Sequence, residues 1–170
     1  TLIAGASTFV FGWVAWRRDL LDTSELLGDL ASALSFRVTG GTDDQSDKVR
    51  DRILAAVKGR HREELTSLND DVLPRLLRSV RPETRRVVER HHDAGRDTYI
   101  VSASPIELVG PLAQALGMTG AIATESEIID GYYTGRLTSE FCYGDGKVNR
   151  VRKLAEEKGY DLRVCYAYSD

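Results

Sequence analysis

The chain has 170 residues, 42% hydrophobic and 29% charged, which suits one globular core domain, alone or carrying a small insert, and excludes disordered, collagenous and polytopic membrane classes. With 23 basic against 26 acidic residues the formal net charge is −3, so no overall positive field exists to hold a nucleic-acid backbone, and no nucleic-acid partner is expected. The two cysteines, Cys142 and Cys165, are too few for a disulfide framework, and a reducing cytoplasm fits them.

The first residue is Thr1, not Met, and Asp170 directly follows an apolar strand-like run, so both ends read as cut. The uncharged stretch from Leu2 to Trp16, followed by Arg17 and Arg18, is too short to span a bilayer and carries its basic pair on the wrong side for a signal peptide, so it reads as a buried helix. Leu20, Leu21, Leu26, Leu27, Leu30 and Leu34 continue a helical period. After the break at Thr39-Gly40-Gly41-Thr42, helices are predicted from Ser46 to Val57 and from about Arg62 to Val80, with Gly59 as the stop between them. Arg81-Pro82-Glu83 opens a further helix that ends near Ala94-Gly95.

Beyond Gly95 the period changes. Thr98 to Val101 reads as a buried strand, and Ser104-Pro105-Ile106-Glu107 as a helix start with Ser104 as N-cap and Glu107 closing a capping box. That helix runs to about Leu116. Ala121 to Thr124 is a short strand, and Glu127 to Leu137 alternates around Asp130-Gly131 like a hairpin. A helix from Gly146 to Glu157, stopped at Gly159, precedes a last strand from Leu162 to Tyr168. From Pro82 onward the alternation of helix and strand predicts a parallel-sheet α/β domain, and the helical stretch from about Ser7 to Val80 reads as a helical insert.

In such sheets ligands collect beyond the carboxyl ends of the strands. Ser102-Ala103-Ser104 leaves one strand and enters a helix whose first N–H groups and dipole suit a phosphate; the same residues also serve as a turn and a cap. Lys147, in Gly144-Asp145-Gly146-Lys147, stands where its ammonium neutralises a transferring phosphoryl group, or is simply a solvated lysine. Asp170, after Ser169, suits a hard divalent cation such as Mg²⁺, or caps a helix. Arg75, Arg78, Arg81, Arg85, Arg86 and Arg90 form a basic stretch suited to a phosphate or an anionic lipid surface, but interspersed Glu83 and Glu89 favour a solvated face, and His91-His92 suit the dipole of a helix end. His61 has no companions at metal-ligand spacing, and Asp43, Asp44 and Asp47 read as a helix start.

The ordered set Tyr99-Ile100-Val101-Ser102-Ala103-Ser104, Gly146-Lys147 and Ala167-Tyr168-Ser169-Asp170 resembles motifs two, three and the beginning of four of the haloacid dehalogenase superfamily, in particular its phosphoserine-phosphatase-like subfamily IB hydrolases. Asp130-Gly131-Tyr132-Tyr133-Thr134-Gly135-Arg136-Leu137 is similar to their D-G-x-x-T-G-x-L segment, and Thr1-Leu2-Ile3 to the tail of their first motif. The resemblance implies a Rossmann-like core of residues 1–8 and 81–170 with an inserted all-helical cap at 9–80, and a Mg²⁺-dependent phosphomonoesterase acting through an aspartyl-phosphate on a small phosphorylated substrate. Its nucleophile and acid/base aspartates would lie just upstream of Thr1. Thr1 would close the first motif and, with Ser102, Ala103 and Lys147, bind the substrate; Ser102 would donate to the phosphoryl oxygens, Lys147 would neutralise them, and Asp170 would ligate Mg²⁺. Phosphoserine phosphatases proper carry an acidic residue shortly after the first motif and Gly-Gly after the motif-two Ser, where this chain has Ala4-Gly5-Ala6-Ser7-Thr8 and Ala103-Ser104, so a substrate other than strictly phosphoserine is expected. Trp13, Trp16, Phe9 and Phe11 line a cap pocket or pack the core. The competing expectation is a non-catalytic phosphate-ligand-binding or regulatory module attached to another enzyme.

Overall fold

The computed structural model describes Leu2, Arg50, Asp51 and residues 54–169. Thr1, Asp170, the apolar stretch after Leu2 with its aromatic residues, the leucine-rich helix and the Gly-Gly break with Asp43, Asp44 and Asp47 lie outside the described residues. Contacts divide the chain into two compact units; among the described residues one comprises Leu2, 77–125 and 139–169, and the other 50–51, 54–76 and 126–138.

The second unit combines helices with a hairpin. Residues 54–57 are helical and meet the expected stop at Gly59. Helix α1, Arg62–Thr66, starts from His61, whose imidazole accepts from the Glu63 N–H (3.3 Å) while the Glu64 carboxylate accepts from the His61 N–H (3.0 Å). This reciprocal capping satisfies two donors that a helix start otherwise leaves orphaned. Glu64→Ala is expected to cost about 1 kcal/mol, as cap removals do, read as a shift of the urea midpoint.

The single helix expected from Arg62 to Val80 is in fact two. The Thr66 and Ser67 hydroxyls donate to the carbonyls of Glu63 and Glu64 at 3.3 and 2.9 Å, which ends α1 before α2, Asn69–Ser79, begins. Leu65, Leu68, Val72 and Leu76 recur at threes and fours and are buried, the spacing of a core-facing helical stripe.

Strands β1, Tyr99–Pro105, and β2, Gly120–Thr124, belong to the first unit; β3, Ser126–Ile129, and β4, Tyr132–Leu137, to the second. Between β3 and β4, Asp130 (φ 52°) and Gly131 (φ 86°) both take positive φ, as a two-residue hairpin turn requires. The Gly59 N–H donates to the Tyr133 carbonyl (2.8 Å) and the Arg62 N–H to the Gly131 carbonyl (2.8 Å), and Tyr133 returns a bond to the Arg60 carbonyl (3.0 Å). The Thr134 hydroxyl and the Arg136 guanidinium both donate to the Glu127 carboxylate, at 2.7 and 2.9 Å, and these bonds, the Thr134 one foremost, hold that carboxyl below its ordinary range. The D-G-x-x-T-G-x-L segment is thereby accounted for locally, as a turn and a cross-strand tie. The hairpin, inside the 81–170 segment assigned to the core from sequence, lies with the helical unit.

In the first unit, α3, Pro82–Asp93, begins at Pro82 as expected, with Ala94 as its C-cap and Gly95 just beyond. Strands β1 and β2 are parallel, with Tyr99, Ile100 and Val101 opposite Gly120, Ala121 and Ile122. Helix α4, Ile106–Ala115, covers both strands and buries Leu108, Val109, Leu112 and Ala113 over Ile122 and Ala123. Full burial of each leucine or valine contributes about 1.5–3 kcal/mol. Helix α5, Gly144–Lys158, starts two residues earlier than expected and ends where Gly159 takes the left-handed C-cap. Its far end is clamped beneath the sheet: the Tyr160 hydroxyl donates to Asp97, the Thr119 hydroxyl donates to the same carboxyl (3.1 Å), and the Tyr99 and Tyr160 hydroxyls lie 3.0 Å apart. The Tyr160 bond is the main reason the Asp97 carboxyl lies below its ordinary range, and Asp97 in turn raises the Tyr160 phenol.

The last expected strand does not form among the described residues. Leu162–Val164 is a 3₁₀ turn, because the Asp161 carboxylate accepts from the Arg163 N–H (3.0 Å) and pairs with its guanidinium. Residues 165–169 pair with no strand among the described residues. Instead the Tyr168 hydroxyl meets Nε2 of buried His91 at 2.8 Å, and the Arg96 guanidinium lies over the Tyr166 ring. His91, expected only to suit a helix dipole, is therefore the inner end of an aromatic cluster. Among the described residues no helix is long and apolar enough to cross a membrane, and Cys142 and Cys165 are free thiols.

Candidate active site

The carboxyl ends of β1 and β2 share one edge because the strands are parallel. Their pairing breaks there. Val101 faces Ile122 and Pro105 faces Thr124, so Ser102, Ala103 and Ser104 stand opposite Ala123 alone. Two extra residues bow β1 outward, as bulges at functional edges do. The residue before a proline is held extended, which keeps Ser104 in the strand. The helix starts one residue later than expected because Pro105 is itself extended (φ −60°, ψ 143°) and so is the N-cap, with no side-chain cap bond. Ser104 is not the cap, and Glu107 closes no capping box on it; Glu107 is instead buried in the first turn.

The bowed segment turns its polar groups to specific partners. The Ser104 N–H donates to the Ser102 hydroxyl oxygen (3.1 Å), and the Thr124 hydroxyl donates to the Ala103 carbonyl (2.7 Å). Ser102 thereby accepts through a lone pair, so its O–H proton is not consumed by that bond. Cys142 is fully buried, and its thiol donates to the Ile122 carbonyl (3.7 Å). Burial pushes the Cys142 thiol above its ordinary pKa, against weaker opposing pulls from the charges of Arg150 and Lys147.

Cys142 thus ties β2 to the loop that leads into α5, where Lys147 sits half-buried in the first turn. A β-carbon on Gly146 would lie 2.2 Å from the Phe141 carbonyl oxygen, so the loop closes onto the helix only with glycine there. One turn on, Arg150 is 14% exposed; its guanidinium pairs with Glu125, just past β2, and donates to the Ser139 hydroxyl (2.9 Å) and the Glu140 carbonyl (3.4 Å).

Of the residues singled out from sequence, Ser102, Ala103 and Lys147 belong to the same unit. Thr1 and Asp170 lie outside the described residues. Arg78, Arg81, Arg85, Arg86 and Arg90 are exposed, the expected solvated face. Sequence reasoning missed Cys142 and Arg150. Arg150 had a readable signal, since a residue three positions after Lys147 shares its helix face; Cys142 had none, because only the fold carries its loop under the strand ends.

A family model described as haloacid dehalogenase-like hydrolase matches residues 1–170. A putative hydrolase of Mycobacterium leprae is 35% identical over 172 residues, covering 100% of this chain and 57% of that protein. A phosphoserine phosphatase of Mycobacterium tuberculosis is 34% identical over 172 residues, covering 100% of this chain and 56% of that protein. The chain therefore spans a little over half the length of these relatives. The solved structure of a protein of unknown function from Bordetella pertussis Tohama I superposes with a TM-score of 0.77 at 24% identity, covering 96% of this chain and 73% of that one, a likeness of fold.

Proposed function

Because the chain belongs to the haloacid dehalogenase-like hydrolase family, we propose that it forms the greater part of a phosphomonoester hydrolase that uses Mg²⁺ and a covalent aspartyl-phosphate. The observation that supports this reading best is that one unit holds both the bowed strand end carrying Ser102 and the helix start carrying Lys147, with α5 packed against β1 and the Cys142 thiol tying the loop before α5 to Ile122 of β2. A phosphate held there gains the Ser102 O–H as a donor and the Lys147 ammonium as a counter-charge, both fixed in place before reaction. The Ala103 backbone and Thr1 complete the proposed substrate contacts.

The chemistry is carried by two carboxylates expected upstream of Thr1. One attacks phosphorus as the bond to the ester oxygen breaks, the second delivers a proton to the departing alcohol, and water then cleaves the acyl phosphate. Among the described residues no three His, Cys, Asp or Glu side chains gather as a metal-ligand set; Asp170, the proposed Mg²⁺ ligand, lies outside them. Bound Mg²⁺ would screen the charges of carboxylate and phosphate.

The substrate is proposed to be a small phosphate ester other than strictly phosphoserine, since no carboxylate occupies Ala4 to Thr8, where the amine would be held. The test is hydrolysis of p-nitrophenyl phosphate by the full-length protein with and without EDTA, beside the Asp170→Asn variant. The proposal expects turnover to stop with EDTA and Asp170→Asn to raise the Mg²⁺ needed for half-maximal rate by about 10-fold or more, as ligand-shell losses do. Binding of phosphate without turnover would favour the non-catalytic module instead.

A further inference from the structure

We infer that Arg150 is a positioning residue for phosphoryl transfer: its guanidinium fixes the start of α5 against the end of β2, and so sets where Lys147 places its charge. The inference rests on the phosphatase reading of Ser102 and Lys147 and names the group that makes their geometry definite.

Three contacts define the role. Arg150 reaches Glu125, the first residue after β2, the Ser139 hydroxyl at 2.9 Å and the Glu140 carbonyl at 3.4 Å. The neighbouring Asn149 amide donates to the Glu140 carboxylate at 3.0 Å. Two successive side chains of α5 therefore grip the loop that precedes the helix, and one of them also grips the strand edge. Other arginine pairs lack this setting: the side chains of Arg136 and Arg163 are 69% and 89% exposed, against 14% for Arg150, and exposed pairs hold little in place. A planar guanidinium with several donors in fixed directions is suited to three acceptors at once, which an ammonium is not.

Lys147 precedes Arg150 by three residues, so the two side chains leave the same side of the helix. Cys142, also in that loop, donates its buried thiol to the Ile122 carbonyl of β2. Loosening Arg150 thus frees the loop and the helix start together, and a displacement of about 1 Å at a reacting charge costs up to about 10²-fold in rate.

The experiment uses the full-length protein, p-nitrophenyl phosphate turnover and inhibition by orthovanadate. Arg150→Gln is expected to lower kcat about 10- to 100-fold with a smaller change in KM, and Arg150→Lys, which keeps the charge but loses the fork, to recover only part of it. Added to Lys147→Ala, Arg150→Gln is expected to cause little further loss, because it acts through the lysine. Glu125→Gln, at a half-exposed acceptor, is expected to reproduce part of the effect without a fall in melting temperature, which keeps the inference open to test if Arg150→Gln fails to fold. Undiminished kcat in Arg150→Gln, or a full additional loss in the Lys147→Ala background, would overturn the positioning role and leave the phosphatase reading standing. A wild-type protein that turns over no phosphate ester overturns both.

Discussion

Lys147→Ala in the full-length protein is expected to lower kcat for phosphate-ester hydrolysis by about 10²–10³-fold, the loss seen when a preorganised electrostatic group is removed from a transition state. The lysine is half-buried at the start of α5, the helix that packs against β1, whose carboxyl end carries Ser102. It is also spared from obvious structural duty, because the first turn is held by the Gly146 approach and by Arg150. Melting temperature should therefore move little. Lys147→Arg should recover only part of the rate, since a broad planar cation replaces a compact one. Turnover that stays within about threefold of wild type on alanine substitution, well short of what one such donor supplies, would remove Lys147 from the chemistry.

Gly146→Ala is expected to be the most damaging change of a single atom in the described part of the first unit. The added β-carbon would overlap the Phe141 carbonyl oxygen at 2.2 Å, an overlap with backbone rather than with the tip of a flexible side chain. The Phe141 carbonyl already accepts from the Tyr143 N–H (2.7 Å), so moving it disturbs the loop and the helix start together. Overpacking of this kind costs about 1–3 kcal/mol, measurable as a lower urea midpoint with unchanged slope. Because Lys147 is the next residue, kcat should fall with stability, whereas Glu64→Ala, in the other unit, should shift stability alone. If Gly146→Ala retains wild-type stability and rate, the close approach has no functional weight.

Much of the architecture was legible because local signals agreed with one another. Pro82 opened α3, Asp130-Gly131 turned the hairpin, and Gly159 capped α5, each through backbone preferences that act within a few residues. Where those signals conflicted with neighbouring geometry, the reading slipped. Ser104 has the chemistry of an N-cap, but Pro105 is itself extended and takes that place; Arg62 to Val80 has one helical period, but two hydroxyls bonded back to carbonyls divide it. Leu162 to Tyr168 has strand composition, but a strand also needs a partner for its backbone, and Asp161 curls the first turn away.

Sequence alone determined which residue types were available for phosphate chemistry and in what order: a serine after one strand, a lysine at a later helix start, an aspartate at Asp170, along the whole of a haloacid dehalogenase-like pattern. It also determined the capping and turn positions, which depend on neighbours in the chain. Tertiary structure decided the bow in β1 at Ser102 to Ser104, the buried thiol of Cys142 beneath it, and the fastening of α5 by Arg150 to Glu125, Ser139 and Glu140. Those contacts join residues far apart in sequence. Their energy comes from burial and from bond geometry that exist only once the strands pair and the helix docks, so no local pattern announces them.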